Sequence, residues 1–170
     1  NLLTRMVGTW PDKIKYWEML SGAYQELGRD TDSLSVLMVA YQKGLITEEK
    51  KILNVVNMNM FLDVPYVAGI VLEKEMNAGR VETNEKNLEK LRSAWTAARE
   101  FDRAVAVIDQ LAPMKPDGEL YVQKAQLMME KGQWEGVITA AEQALEKGGL
   151  NKPGGAYLMI GIAGNELERW

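Results

Sequence analysis

Trp17, Ile52, Leu88, Tyr121 and Tyr157 open five stretches that align on one another, at steps of 35, 36, 33 and 36 residues. In the first, Trp17 is followed by Leu20, Ser21, Tyr24 and Gly28, then Ser33, Leu37 and Ala40. The third runs Leu88, Leu91, Arg92, Trp95, then Phe101, Ala104, Ile108 and Leu111, up to Pro116. The fourth runs Tyr121, Lys124, Ala125, Met128, Gly132 and Trp134, then Val137, Ala141 and Ala144, up to Gly148. A weaker second copy has Ile52, Val55, Val56 and Asn59, then Ala68 and Leu72, and the fifth begins Tyr157, Ile160, Gly161, Gly164. A period of this length means that each unit is one supersecondary element. Such an element cannot bury its apolar face alone and must stack on its neighbours.

Inside each unit the apolar residues fall three and four apart, the spacing of one face of a helix. Glycines mark the expected helix ends at Gly28, Gly44, Gly79, Gly132 and Gly148, where a left-handed residue stops a helix at low cost. Asp30, Thr47, Thr83 and Asp117 stand where helices are expected to start, since their side chains accept the free amide hydrogens of a first turn. Pro65 and Pro153 suit first turns. The pattern predicts nine helices, over about 14–28, 31–43, 48–61, 64–78, 84–99, 101–112, 118–131, 134–147 and 154–168, with residues 1–12 as a lead-in.

On these residues the chain resembles the tetratricopeptide-repeat (TPR) family, whose unit is a helix–turn–helix of about 34 residues. The resemblance implies an all-α fold: a right-handed superhelical solenoid of antiparallel helix pairs over residues 1–170, with repeats starting near 14, 48, 84, 118 and 154. In that pattern an aromatic near the start of the second helix follows, as Phe101 and Trp134 do, and Trp170 falls on the same position. The expectation is therefore a solenoid truncated in its fifth repeat, a piece of a longer protein. Whole stretches, among them 10–28, 78–100, 117–150 and 153–167, are similar to the periplasmic repeat proteins encoded beside TonB–ExbB–ExbD systems in Gram-negative bacteria. That resemblance implies a periplasmic protein assisting outer-membrane uptake, with TonB-system components as candidate partners.

Composition narrows the chemistry. The chain has no Cys and no His, which removes thiol nucleophiles, imidazole acid–base catalysis and the usual zinc ligand sets. A net charge of −4 argues against a nucleic-acid partner, because phosphate binding needs a basic face. No stretch reaches the roughly 18 apolar residues of a membrane-spanning helix. No carboxylate pair can be placed as acid and base, and the Gly-rich 148–155 lacks the Lys–Ser/Thr ending of a phosphate loop. No cofactor or metal is expected, and the reading is of a non-enzymatic interaction scaffold. Two alternatives stay open: a helical accessory module of a larger cell-wall enzyme, or a unit that self-associates through its last helix.

In the family, set positions of the first helix of each unit line a concave groove. Carried over, they give Asn54, Asn57, Met60, Phe61, Lys86, Lys90, Gln123, Gln126 and Met129 as partner-binding candidates. Asparagine is a poor helix former, yet its amide both donates to and accepts from an extended peptide backbone. One subclass of the family clamps a terminal carboxylate with lysine and asparagine. Asn54, Lys86 and Lys90 fall on matching positions, but Glu18 stands where the first lysine belongs, Gly22 replaces the first asparagine, and Lys90 lacks the bidentate fork of arginine. Trp17, Trp95 and Trp134 fall on core positions, and Trp10 is expected to be exposed.

Overall fold

A computed structural model describes residues 2–168, so Trp170 lies outside the described residues. Among them are ten α-helices, a short 3-10 turn at Ala112–Met114 and no strand. The helices are α1 (Leu2–Thr9), α2 (Ile14–Glu26), α3 (Asp30–Gln42), α4 (Glu49–Phe61), α5 (Pro65–Asn77), α6 (Glu85–Ala97), α7 (Phe101–Leu111), α8 (Glu119–Glu130), α9 (Trp134–Lys147) and α10 (Pro153–Glu166). The nine expected helices are α2 to α10. The tenth corrects the lead-in: residues 2–9 form α1, which buries Val7 and packs on α2. No helix among the described residues is long and apolar enough to cross a membrane.

The chain divides into two compact units, one ending at Thr83 and the other starting at Asn84. In the first, α2 pairs with α3 and α4 with α5, while α3 also packs on α4. Trp17, Leu20, Leu37, Ile52, Val55, Val56, Ala68 and Leu72 form its interior. The Trp17 indole donates to the Pro11 carbonyl at 3.0 Å, which ties the α1–α2 joint to the core. Ser21 and Ser33 share a buried hydroxyl–hydroxyl bond of 2.7 Å, so small polar residues at the α2–α3 contact satisfy each other.

A buried carboxylate anchors α5. Glu75 is 1% exposed. One oxygen accepts from the Tyr41 hydroxyl of α3 at 2.7 Å and the other from the Arg80 guanidinium just past the helix. The Arg80 bond, joined by that of Tyr41, outweighs burial and holds the Glu75 carboxyl below the ordinary carboxylate range.

In the second unit α6 pairs with α7 and α8 with α9, and α10 packs on both α9 and α8. Leu88, Leu91, Trp95, Ala104, Ile108 and Leu111 fill the first pair. Ala125, Val137, Ala140, Ala141, Ala156, Met159 and Ala163 form the second cluster, where alanines bring three helices close together. The joint before α8 is tight. Gly118 donates its backbone N–H to the Gly148 carbonyl at 2.8 Å, and a Cβ at Gly118 would stand 2.3 Å from the Ala144 carbonyl oxygen.

The repeat register reappears in the backbone. Gly28, Asp63, Arg99, Gly132 and Glu168 all have positive φ, and each lies eleven residues after Trp17, Ile52, Leu88, Tyr121 and Tyr157 respectively. Every first helix therefore ends in the same left-handed turn, even where no glycine announces it. Gly44 and Gly79, also of positive φ, follow the last turns of α3 and α5, Gly148 ends α9 in an extended conformation (φ 74°, ψ −162°), and α7 runs into the 3-10 turn containing Pro113.

The helix starts differ from expectation. Asp30 is the first residue of α3, where its charge favours the positive end of the helix dipole, and Arg29 holds the cap position. Glu48, not Thr47, precedes α4 without a side-chain cap. Asn84 displaces Thr83 as the cap of α6, its Oδ1 accepting from the Asn87 N–H at 3.0 Å. Asp117 does accept a backbone bond, from Glu119 N–H at 3.1 Å, but Gly118 holds the cap position of α8.

Candidate functional site

Each compact unit has clefts where its first helices run side by side. In the first unit α2 and α4 flank a cleft of about 580 Å³. Ile52, Val55 and Val56 point into the core, so the opposite face of α4 turns Lys50, Leu53, Asn54 and Asn57 into the cleft. Leu37 and Ile46, both buried, give it an apolar floor. Asn54 and Asn57, three residues apart on one exposed face, thus meet as expected. The third asparagine of the helix, Asn59, is structural: it is buried and donates to the Val55 carbonyl at 2.8 Å.

Glu18 projects from α2 across this cleft. Lys51 meets it at 2.9 Å and also pairs with Glu48 at 3.0 Å. The bonds to Glu18 and then Glu48 raise the Lys51 pKa. The cleft rim is therefore internally neutralised, with Glu18 and Glu48 set against Lys50 and Lys51. Such a rim favours neither a free carboxylate nor a free amine. It suits an uncharged, hydrogen-bonding segment with an apolar side chain for the floor.

Met60 is half-buried and Phe61 is 75% exposed at the last turn of α4, and neither lines the cleft. Their register matches the groove pattern, but they sit one turn beyond it.

In the second unit α6 and α8 flank a cleft of about 320 Å³ lined by Arg92, Thr96, Gln123, Gln126 and Leu127. A chain of polar contacts sets its wall. Lys115 bridges Glu85 at 2.7 Å and Glu89 at 3.0 Å. Glu89 accepts from Arg92 Nε at 3.0 Å and Nη2 at 2.9 Å, and Arg92 Nη1 donates to Gln123 Oε1 at 2.9 Å. Burial works to raise the Glu89 carboxyl, but the bonds from Lys115 and Arg92 prevail and lower it. With its oxygen committed to Arg92, Gln123 offers a ligand its amide nitrogen. The Thr96 hydroxyl is buried without a hydrogen-bond partner, an arrangement that costs stability unless something answers it.

A third cleft, of about 260 Å³, lies between α8 and α10 and is lined by residues including Val122, Gln126, Asn151, Lys152 and Met159. Gln126 lines both clefts of this unit, so they adjoin across its amide. Among the described residues no group of three His, Cys, Asp or Glu could hold a metal ion.

Of the expected residues in this unit, Gln123 and Gln126 are brought together. Lys86 is exposed and Lys90 half-buried on α6, and neither lines the α6–α8 cleft. Met129 packs beside the Ala125–Val137 cluster. It fills space between α8 and its neighbours and lines neither of these two clefts. Arg92 escaped the sequence reading, and so did Asn151 and Lys152, whereas Thr96 lies on a groove-facing position of the repeat pattern. Arg92 occupies a position filled by Ser21, Val56 and Ala125 in other repeats. A long cation at a small-residue position was the available signal. Trp17 and Trp95 are buried, Trp134 half-buried and Trp10 exposed beside Tyr16, as their register implied.

No family model matches the chain, and no curated protein matches it in sequence. Solved structures share its fold. The crystal structure of MamA aligns over 91% of this chain and 82% of its own, at 16% identity and a TM-score of 0.59. MamA from residue 41 onward, from Desulfovibrio magneticus RS-1, aligns over 91% and 85%, at 13% identity and a TM-score of 0.57. YrrB, described as a TPR protein with an unusual peptide-binding site, aligns over 99% and 85%, at 13% identity and a TM-score of 0.58. The fold is thus an all-α, TPR-like solenoid of helix pairs.

Proposed function

We propose that this chain is a non-enzymatic protein-interaction scaffold that holds extended peptide segments in the clefts between successive first helices. The observation that carries this reading is the placement of carboxamides. Asn54 and Asn57 line the first-unit cleft, and Gln123 and Gln126 line the second-unit clefts. A carboxamide can pair with a peptide group through both its donor and its acceptor, and Gln123, its oxygen held by Arg92, contributes the donor. The apolar floor of Leu37 and Ile46 supplies a side-chain pocket, the usual source of sequence preference in strand-like recognition. The peptide-binding site named for YrrB, a structure of the same fold, supports the class of ligand.

The resemblance to TonB-associated repeat proteins extends the proposal. The scaffold works in the periplasm as an accessory to TonB-dependent uptake, with a component of that system as its partner.

The test is a selection from a displayed library of random decapeptides, followed by titration of the best peptide against three forms of the chain: wild type, Asn54→Ala/Asn57→Ala and Gln123→Ala/Gln126→Ala. One of the two double variants is expected to lose at least tenfold in affinity with helicity unchanged. If neither loses affinity, the clefts are not the binding site. Pull-down from periplasmic extract with the same variants tests the partner. Specific capture of TonB-system proteins supports the extended proposal, and its absence removes the TonB link while leaving the peptide reading to the first assay.

A further inference from the structure

The α6–α8 cleft offers a bound segment only half of a carboxamide. Arg92 Nη1 donates to Gln123 Oε1 at 2.9 Å, which leaves the amide nitrogen of Gln123 for a ligand. Arg92 is itself fixed, because its Nε and Nη2 both donate to Glu89, at 3.0 and 2.9 Å. At the same register position the other repeats carry Ser21, Val56, Ala125 and Gly161, all too short to span two first helices. The half-carboxamide is thus particular to this cleft.

Charge does not select the occupant. Glu85 and Glu89 are matched by Lys115 and Arg92, so the wall is neutral, and Leu127 adds an apolar side. An acid or an amine entering the cleft would lose water without gaining a counter-ion. Donors are in surplus. Thr9, Ser35 and Thr139 spend their hydroxyls on the carbonyl four residues earlier, at 2.9, 2.8 and 3.0 Å. Thr96 lines the cleft and makes no such bond, so its hydroxyl hydrogen is a second uncommitted donor.

In an extended segment the N–H and C=O of one residue point to the same edge. A whole carboxamide answers both. Gln123 answers the carbonyl, but an N–H brought to its oxygen also meets the Arg92 guanidinium, donor against donor. A residue with a carbonyl and no N–H removes the conflict, and proline is that residue.

We propose that the α6–α8 cleft reads a proline in the bound segment: the proline carbonyl accepts from the Gln123 amide, and Arg92 is the positioning residue that turns away a residue bearing an N–H. The proposal rests on the clefts being peptide sites. Gln126, three residues further along α8 and shared with the adjoining cleft, is left for the neighbouring residue of the segment.

The test selects decapeptides from the displayed random library against the Asn54→Ala/Asn57→Ala chain, so that the second unit does the selecting. The recovered peptides are expected to carry proline at one position well above its share in the unselected library. The strongest binder is then synthesised with proline, N-methylalanine or alanine at that position, and each form is titrated by calorimetry. N-methylalanine has no N–H and is expected to bind like proline. Alanine is expected to bind about tenfold more weakly, the worth of one unanswered N–H. Arg92→Lys keeps a cation for Glu89 but releases the Gln123 oxygen, and is expected to bring the alanine form back to the affinity of the proline form. Gln123→Glu, which serves should Arg92→Lys misfold, is expected to reverse the order, because a carboxylate accepts the alanine N–H and donates nothing. Peptides that need Gln123 but show no proline, an alanine form as tight as the N-methylalanine form, or a preference that survives both variants overturn the proposal and leave the cleft reading standing. Recovery of no peptide, or only of peptides insensitive to Gln123→Ala, overturns the proposal and also removes the α6–α8 cleft from the peptide reading.

Discussion

Replacing Gly118 by alanine tests whether the joint between α7 and α8 is as tight as the geometry requires. The backbone dihedrals there are φ −91° and ψ 4°, which alanine tolerates, so conformation alone costs little. Contact is the obstacle. The new methyl would stand 2.3 Å from the Ala144 carbonyl oxygen and 3.0 Å from its carbonyl carbon and Cα. These are backbone atoms of α9 and cannot rotate away. Relief requires the joint and the last turn of α9 to part by about an ångström, which also stretches the Gly118–Gly148 hydrogen bond of 2.8 Å. Overpacking of this kind costs about 1–3 kcal/mol, and the bond is worth about 1 kcal/mol. Loss of a glycine from the unfolded chain returns about 0.4–1 kcal/mol. The net expectation is a loss of about 1–3 kcal/mol. Urea denaturation followed by circular dichroism measures it, with Gly161→Ala as control. That glycine lies in the interior of α10 with open space around it, so alanine there should stabilise by up to about 1 kcal/mol. If Gly118→Ala matches or exceeds wild-type stability, the close approach is wrong and so is the packing of α8 on the end of α9.

Other perturbations follow from single contacts. Glu75 titrates lower in the folded chain than in the unfolded one, so its contribution is fully present above the unfolded value of about 4.3 and is lost as pH falls through the folded value. Acid denaturation of wild type should therefore steepen below about pH 4.3, and Glu75→Gln should flatten that limb. Tyr41→Phe leaves a buried carboxylate oxygen of Glu75 unanswered and should cost about 1–3 kcal/mol, measured by thermal denaturation. Asn84→Ala removes the side-chain cap of α6 and should cost about 1 kcal/mol by the same assay. Trp95→Ala empties the most voluminous fully buried side chain and should cost about 3–5 kcal/mol. A change under 1 kcal/mol would mean that Trp95 is not the centre of the α6–α7 core.

The register was legible because burial imposes it. Trp17, Ile52 and Leu88 recur where a first helix meets its second, and the period that aligned them also aligns the left-handed residues Gly28, Asp63, Arg99, Gly132 and Glu168. Three of those five are not glycine. Position in the repeat, not residue type, forces the turn. Helix starts were less legible, since α3 and α4 begin without a side-chain cap bond and α6 takes its cap from Asn84. The cleft asparagines were visible as poor helix formers sharing a face. Phe61, Lys86 and Lys90 matched the repeat register yet are not among the residues lining these three clefts, because a register gives direction around a helix but not height along it. Arg92 was invisible for the opposite reason. It holds a core register position and reaches a cleft through side-chain length and a polar chain running from Lys115 to Gln123.

The most direct test of the cleft account is a nuclear magnetic resonance titration of the isotope-labelled chain with the best library-selected peptide, observing side-chain carboxamide signals. The account predicts that the NH2 resonances of Asn54 and Asn57, or of Gln123 and Gln126, shift saturably with peptide, while that of Asn59, buried and bonded to Val55, stays in place. Shifts that spare all four cleft carboxamides and appear elsewhere would contradict it.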